Sequence, residues 1–352
     1  MQRQIPIKPI DQVIDSLNSY HTIIDVRSPL EFLEDHIPGA INLPVLSDAE
    51  RAEIGTLYKQ VDPFTAKKRG AALISINISN HLHTLSDQPK DWEPLVYCWR
   101  GGQRSRALAL VMNEIGWPVS LIQGGYKAYR KSVQTTLNCQ VDHYSFHILA
   151  GPTGCGKTRI LNQLADDGHQ VIDLEGLANH RGSILGKNPD TPQPSQKFFE
   201  SELLNALREL DPNRPIWVES ESAKIGDLHI PNGLFKQLMA SPALSLTCDR
   251  DARATFLMND YLHLIDRPEE TAELIQKLGF RQNSAQVRQW LDMIESGQWQ
   301  TLSESLLLTH YDSAYAHSQK RFIVAGTYHL DQPGVLPPDL LKNFSVKTKT
   351  PE

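Results

Sequence analysis

A chain of 352 residues, 40% hydrophobic and 22% charged, holds enough apolar surface for two ordinary domains of roughly 100–200 residues each. Its net charge of −6 argues against a generally basic, nucleic-acid-coating surface. The opening Met1-Gln2-Arg3-Gln4 leads into mixed polar sequence, and no apolar run approaches the roughly 18 residues of a bilayer span, so a cytoplasmic protein without membrane attachment is expected. Cys98, Cys139, Cys155 and Cys248 are too far apart for a CxxC metal knuckle or redox pair, which points to free thiols and no zinc site. The charge is uneven. Residues 1–140 hold 15 basic and 14 acidic side chains (+1), and the remainder 20 and 27 (−7).

In chain order, residues 21–27 form a short β-branched run that reads as a strand. Ser28-Pro29-Leu30-Glu31 then supplies an N-cap, a proline at the first helical position and a glutamate three residues after the cap. Residues 36–40 read as a turn, 41–44 as a second strand, and 48–58 and 64–81 as helices. Residues 95–98 are a strand, 105–115 a helix and 119–123 another strand, closed by Gly124-Gly125. Strands separated by helices imply a parallel sheet with crossovers.

Cys98 opens the stretch Cys98-Trp99-Arg100-Gly101-Gly102-Gln103-Arg104-Ser105 directly after an apolar strand. A thiol at a strand end, followed by two glycines and flanked by Arg100, Arg104 and Arg106, can sit in a cradle of backbone N–H groups. Such a cradle favours the thiolate and holds an anion bound to sulfur. A chalcogen or phosphorus group on Cys98 is therefore expected. Together with Asp25-Val26-Arg27, Glu31-Phe32 and His36-Ile37-Pro38-Gly39-Ala40-Ile41-Asn42, this loop resembles a rhodanese (sulfurtransferase) domain spanning residues 5–135. Five residues separate Cys98 from Arg104 where many single-domain rhodaneses have four. That is the wider cradle of rhodanese-like phosphatases, suited to a larger group than bare sulfur. Asp25 and Arg27 are expected to orient the loop without taking part in chemistry. Trp99 could stack a splayed base or shape the loop.

Residues 132–142 read as a polar connector, after which the pattern restarts. A strand over 144–150 runs into Gly151-Pro152-Thr153-Gly154-Cys155-Gly156-Lys157-Thr158 and a helix over 159–165. This is the G-x-x-x-x-G-K-[ST] phosphate loop in its required strand–helix setting. Gly151, Gly154 and Gly156 let the backbone wrap a phosphate, and the helix N-terminus aims N–H groups at it. Lys157 reaches the outer phosphates, and Thr158 can hold Mg²⁺; Cys155 fills a variable position. Further strands are expected at 170–173, 215–219, 244–249 and 321–325. Asp173 and Glu219, at strand ends, are candidates for organising a metal or the chemistry. Residues 179–195, rich in Gly, Pro, Asn and Gln, should form a mobile substrate loop, and the tail 347–352 should fray. The fold class is therefore α/β: an N-terminal rhodanese-like domain (5–135) and a C-terminal P-loop NTPase-like parallel-sheet domain (140–345).

The pairing of a thiol loop with a phosphate loop resembles the bacterial tRNA 2-selenouridine synthase family. Further matching stretches are Gly124-Gly125-Tyr126-Lys127-Ala128-Tyr129-Arg130, residues 173–183 from Asp173 to Ser183, Gln196-Lys197-Phe198-Phe199-Glu200, residues 219–226, and His310-Tyr311-Asp312. The resemblance implies replacement of sulfur by selenium at carbon 2 of wobble 2-thiouridine. Selenophosphate would be the donor, and an S-geranyl intermediate would be made from geranyl diphosphate. On that reading Cys98 carries selenium as a perselenide or assists its delivery. Trp99, Arg100, Gly101, Gly102, Gln103 and Arg104 receive the selenophosphate, and the phosphate loop is a diphosphate clamp. No tightly bound cofactor is expected beyond Mg²⁺ at Thr158. Partners would be tRNA, contacted by Lys127, Arg130 and Lys131, and the selenophosphate-producing enzyme. Two alternatives remain: a rhodanese-like phosphatase, arsenate reductase or sulfurtransferase, and a P-loop kinase whose rhodanese domain is not catalytic.

Overall fold

The computed structural model describes residues 4–183, 185–280, 282–319 and 321–344, so the tail 347–352 lies outside the described residues. The backbone falls into two units: Met1–Thr136 with Ser195–Arg208, and Leu137–Pro194 with Glu209–Glu352.

In the first unit each strand is a short aliphatic or β-branched run: β1 (Ile7–Lys8), β2 (Thr22–Asp25), β3 (Ile41–Asn42), β4 (Pro94–Tyr97) and β5 (Ser120–Ile122). All pair in parallel in the order β1-β5-β4-β2-β3. Every residue of β4 is buried, as a central parallel strand covered on both faces requires. The Ser28–Glu31 capping box starts the helix Pro29–Glu34 as expected. Asp62 accepts the Phe64 and Thr65 N–H groups to start Pro63–Thr84. Ile24, Val96, Leu108, Met112, Trp117 and Leu121 make the core around Cys98.

Two features depart from the sequence expectations. The connector expected over 132–142 is mostly the last turns of one helix, Gly125–Cys139. Tyr126, Tyr129, Val133 and Leu137 form a fully buried stripe at helical spacing, which the polar residues between them conceal. The helix Gln196–Arg208, from the middle of the C-terminal half, packs into the first unit. Its Ser201 hydroxyl donates to Asp35 Oδ1 at 2.7 Å, Glu200 accepts from Arg130, and Phe198 stacks on His36 at 4.5 Å between ring centroids. The first unit is thus discontinuous in sequence.

In the second unit β6 (Phe146–Ala150), β7 (Gln170–Ile172), β8 (Ile216–Glu219), β11 (Pro242–Cys248) and β12 (Ile323–Leu330) form a parallel sheet in the order β12-β11-β6-β8-β7. A short hairpin, β9 (Lys224–Ile225) and β10 (Leu228–His229), follows β8. The phosphate-loop strand β6 lies between β8 and β11, where the winding reverses and open α/β sheets place their ligands. Between β11 and β12 the chain forms helices, among them Arg250–Asp260, Pro268–Gln276, Ser284–Glu295 and Trp299–Leu306, which bury Ile275, Trp290, Leu302 and Leu306. The described residues of the segment 179–195 form no helix, yet several are tied down: Asn179 Nδ2 donates to the Thr191 and Pro192 carbonyls, and Gln193 Nε2 to those of Ala178 and Ile225. Among the described residues, no helix is long and apolar enough to cross a membrane.

Candidate active sites

Cys98 follows β4, and its Sγ accepts hydrogen bonds from the Gly102 N–H and the Ser105 hydroxyl, each at 3.2 Å. Only 3% of the residue is exposed, so the sulfur lies on the floor of the loop. Any group on it must be reached over the rim formed by Arg100, Gly102 and Gln103, all of which face solvent.

Gly124 and Gly125 hold that floor in place. The Tyr126 N–H donates to the Cys98 carbonyl at 2.8 Å and the Lys127 N–H to that of Trp99 at 3.0 Å. A Cβ on Gly125, whose φ is +55°, would lie 2.1 Å from the Cys98 carbonyl oxygen and 2.6 Å from the Gly101 nitrogen. Both obstacles are backbone, so neither can step aside. Gly125→Ala is expected to cost on the order of 2 kcal/mol or more. A fall of several degrees in the first unfolding transition, read by calorimetry, checks this.

Beneath the loop lies a buried ionic network. Arg27 donates to Asp25 through Nη2 at 2.6 Å and Nε at 2.9 Å, and to the Asp35 carbonyl at 2.6 Å. Its guanidinium sits 3.9 Å from the Tyr126 ring centroid, and the Tyr126 hydroxyl donates to Asp35 Oδ2 at 2.7 Å. Burial raises the Asp35 carboxyl above its ordinary range, against the pull of Tyr126, Ser201 and the nearby arginines. Asp25 and Arg27 therefore brace the sheet end. The Trp99 ring lies 5.2 Å from that of Tyr126, a packing that shapes the loop.

Two arginines expected at ligands are committed to carboxylates. Arg104 Nη1 donates to Glu31 Oε2 at 2.8 Å, an oxygen it shares with Arg51 Nε, also at 2.8 Å. Arg130 pairs with Glu200 and donates to the Lys197 carbonyl at 3.1 Å. Lys127 and Lys131 are exposed, as are Arg100 and Arg106.

In the second unit the phosphate loop forms as its sequence requires. Gly154 (φ +85°) and Gly156 (φ +73°) take left-handed conformations, and a Cβ on Gly156 would meet the Gly334 backbone at 2.4 Å. Lys157 Nζ donates to the Gly151 carbonyl at 3.1 Å. The buried Arg253 braces the loop, donating to the Thr153 carbonyl at 3.0 Å while paired with Asp312 at 2.8 and 2.9 Å.

Three glutamates converge here, only one of them singled out by the sequence. Thr158 Oγ1 donates to Glu175 Oε2 at 3.3 Å, and the Glu175 N–H donates to Glu219 Oε1 at 2.9 Å. Glu221 faces Gly182 alongside Glu175, since a Cβ on Gly182 would lie 2.5 Å from Glu175 Oε1 and 2.9 Å from Glu221 Oε1. Asp173 instead caps the short helix Leu174–Leu177, accepting the Gly176 N–H at 2.7 Å. The signal for Glu175 was its place two residues beyond Asp173, where a helical start turns it back toward the loop.

Burial pushes the Glu219 carboxyl up to about 8, with Asp173 and Glu175 adding repulsion. Burial and Glu175 raise Glu221 as well, opposed by Lys157. Glu219 Oε2 is buried with no hydrogen-bond partner among the described residues, as suits a protonated carboxyl or one facing a cation. A carboxyl that keeps its proton in the fold, but loses it near 4.5 when unfolded, stabilises fully below that pH. That contribution disappears as pH rises toward 8. Glu219→Gln should therefore gain stability relative to the parent across this window, by about 1.4 kcal/mol per pH unit at most. Melting curves of both proteins from pH 5 to 8 check it, and parallel curves would refute the assignment.

Lys157, Thr158, Glu175 and Glu221 face one cavity of about 800 Å³, lined by the phosphate loop, much of residues 173–183, Ser220–Ser222 and His310–Tyr311. Stretches far apart in sequence that carried the family resemblance thus meet around the loop. Among the described residues, no group of three or more His, Cys, Asp or Glu side chains makes a metal site by itself. Thr158 and Glu175, in contact at 3.3 Å, are the residues that would hold Mg²⁺ alongside a bound phosphate.

Two family models match the chain. Residues 10–132 match the rhodanese-like domain model, and residues 144–297 match the model of the tRNA 2-selenouridine synthase AAA domain. Among curated relatives, a tRNA 2-selenouridine synthase of Shewanella denitrificans is 38% identical over 73% of this chain and 68% of its own length. One of Nitrosomonas europaea is 36% identical over 68% of this chain, the match covering 63% of that relative. On these matches, the chain belongs to the tRNA 2-selenouridine synthase family.

Proposed function

We propose that this protein exchanges sulfur for selenium at carbon 2 of wobble 2-thiouridine in tRNA, using its two sites for two steps. In the first, the thiocarbonyl sulfur attacks the terminal carbon of geranyl diphosphate, the C–O bond breaks and diphosphate leaves. Lys157 and the N–H groups at the start of the helix Lys157–Asp166 stabilise the charge that builds on the leaving diphosphate. Mg²⁺, held by Thr158 and Glu175, would add charge neutralisation to that group. The second step is easier once sulfur is alkylated, because a thiol departs more readily than a thiocarbonyl sulfur.

In the second step selenium forms a bond to carbon 2, and geranylthiol leaves. Selenium in selenophosphate is already at the selenide level, so a perselenide on Cys98 would leave the electrons unbalanced. The balanced role is for the Cys98 thiolate to take the phosphoryl group as the P–Se bond breaks, with water later releasing phosphate. The five-residue spacing from Cys98 to Arg104, matching phosphatase-type loops, supports this role. Lys127 and Lys131, exposed on the helix Gly125–Cys139, are candidate tRNA phosphate contacts. Arg130, held by Glu200, is a brace.

The observation that carries the reading is the coexistence, in one chain of this family, of a thiol loop and a phosphate loop. Wobble nucleosides from cells lacking and regaining the chain test it by mass spectrometry. 2-Selenouridine should vanish and return, and S-geranyl-2-thiouridine should accumulate when selenophosphate is withheld. Purified protein that hydrolyses ATP in step with selenation and ignores geranyl diphosphate would refute the clamp.

A further inference from the structure

A second, smaller cavity of about 80 Å³ lies in the helical part of the second unit, lined almost wholly by apolar side chains. It shares Thr153, Ser183, Leu257, Tyr261 and Tyr311 with the large cavity, and Thr153 belongs to the phosphate loop itself. Its remaining wall includes Trp299, Leu302, Ser303 and Leu306 of one helix, with Leu264 and Ile275 contributed by two others. An apolar hollow opening at the rim of a phosphate loop matches a ligand with a charged phosphoryl head and a hydrocarbon tail. A nucleotide has no such tail, and its ribose and base would leave their polar groups unpaired against these walls.

We propose that this hollow is the tail subsite of the diphosphate clamp, and that the side chains of the helix Trp299–Leu306 measure prenyl chain length. The proposal rests on the prenyl-transfer reading above and adds the residues that set its substrate. Volume decides the length. A water-sized group needs about 10–15 Å³ by this measure, so 80 Å³ admits about five to eight such groups. That seats one five-carbon isoprene unit, so a geranyl tail would place its terminal unit in the hollow and its first unit among the residues shared with the large cavity, and a third unit would find no room. Burial of such a tail also supplies affinity that the charged head lacks, at roughly 25 cal/mol per Å² of apolar surface covered.

The test uses the purified full chain, a 2-thiouridine-containing tRNA and three donors: dimethylallyl, geranyl and farnesyl diphosphate. The parent should prefer geranyl over farnesyl diphosphate by at least tenfold. Ser303→Phe narrows the hollow and should lower the ratio of geranyl to dimethylallyl use at least tenfold, with inorganic diphosphate still competing. Trp299→Ala widens it and should raise farnesyl use, a gain that a misfolded protein cannot show. If the parent uses geranyl diphosphate but both variants leave the donor ratios unchanged, the tail subsite is wrong and the clamp stands. If the parent uses none of the three donors, the prenyl-transfer reading fails and the subsite with it.

Discussion

Replacing Cys98 by alanine should yield a protein that still prenylates tRNA but transfers selenium at least about a thousandfold more slowly. The loop places Sγ against one backbone N–H and one hydroxyl. Alanine removes the nucleophile while leaving Gly101, Gly125 and the buried Asp25–Arg27 pair to hold the backbone. Single-turnover assays with S-geranylated tRNA and selenophosphate would measure the loss, and geranylation of thiolated tRNA would serve as the second channel. Equal loss in both channels would make Cys98 a structural residue. A complementary observation concerns access, because the residue is only 3% exposed. In folded parent protein a small alkylating reagent should modify Cys98, and selenophosphate should protect it. A wholly inert thiol would rule out any covalent role. The exposed Cys139 will react as well, so the modified peptide must be identified.

Lys157→Ala should produce the reverse pattern, with prenyl transfer falling by about a hundred- to a thousandfold and selenation of pre-geranylated tRNA retained. Lys157 is the cation placed by the phosphate loop, and its charge already opposes the raised proton affinity of Glu221. In the transition state the departing diphosphate gains negative charge in the cavity that Lys157 lines, so losing the lysine removes the cation opposite that charge. The penalty should fall more on the rate than on binding, since the interaction strengthens as the C–O bond breaks. Steady-state kinetics with geranyl diphosphate separate the two, and a change confined to KM would show uniform binding instead.

Both glycine-containing loops were legible as sequence because each is a contiguous backbone device. The phosphate loop needs glycines at fixed spacing between a strand and a helix. The thiol loop needs a strand end, a glycine pair and a following helix, and neither calls for a distant residue to be recognised. The capping box at Ser28 and Glu31 was legible for the same reason. Gly125 was visible as a turn, but the close approach of its backbone to the Cys98 carbonyl, which a Cβ would meet at 2.1 Å, was not.

Side-chain partnerships across long separations stayed hidden. Arg104 and Arg130 looked free for ligands in a linear string, yet in space a carboxylate lies within reach of each, and a paired charge at low exposure is far more stable than an unpaired one. The helix Gln196–Arg208 reads as an ordinary amphipathic segment, and only the presence of Asp35, His36 and Arg130 opposite Ser201, Phe198 and Glu200 assigns it to the first unit. The sequence by itself determined the parallel α/β architecture and the two anion loops, because local spacing and backbone conformation suffice for these. Tertiary structure alone decided the glutamate cluster around Thr158 and the apolar hollow at the loop's rim, because burial and charge pairing depend on distance in space.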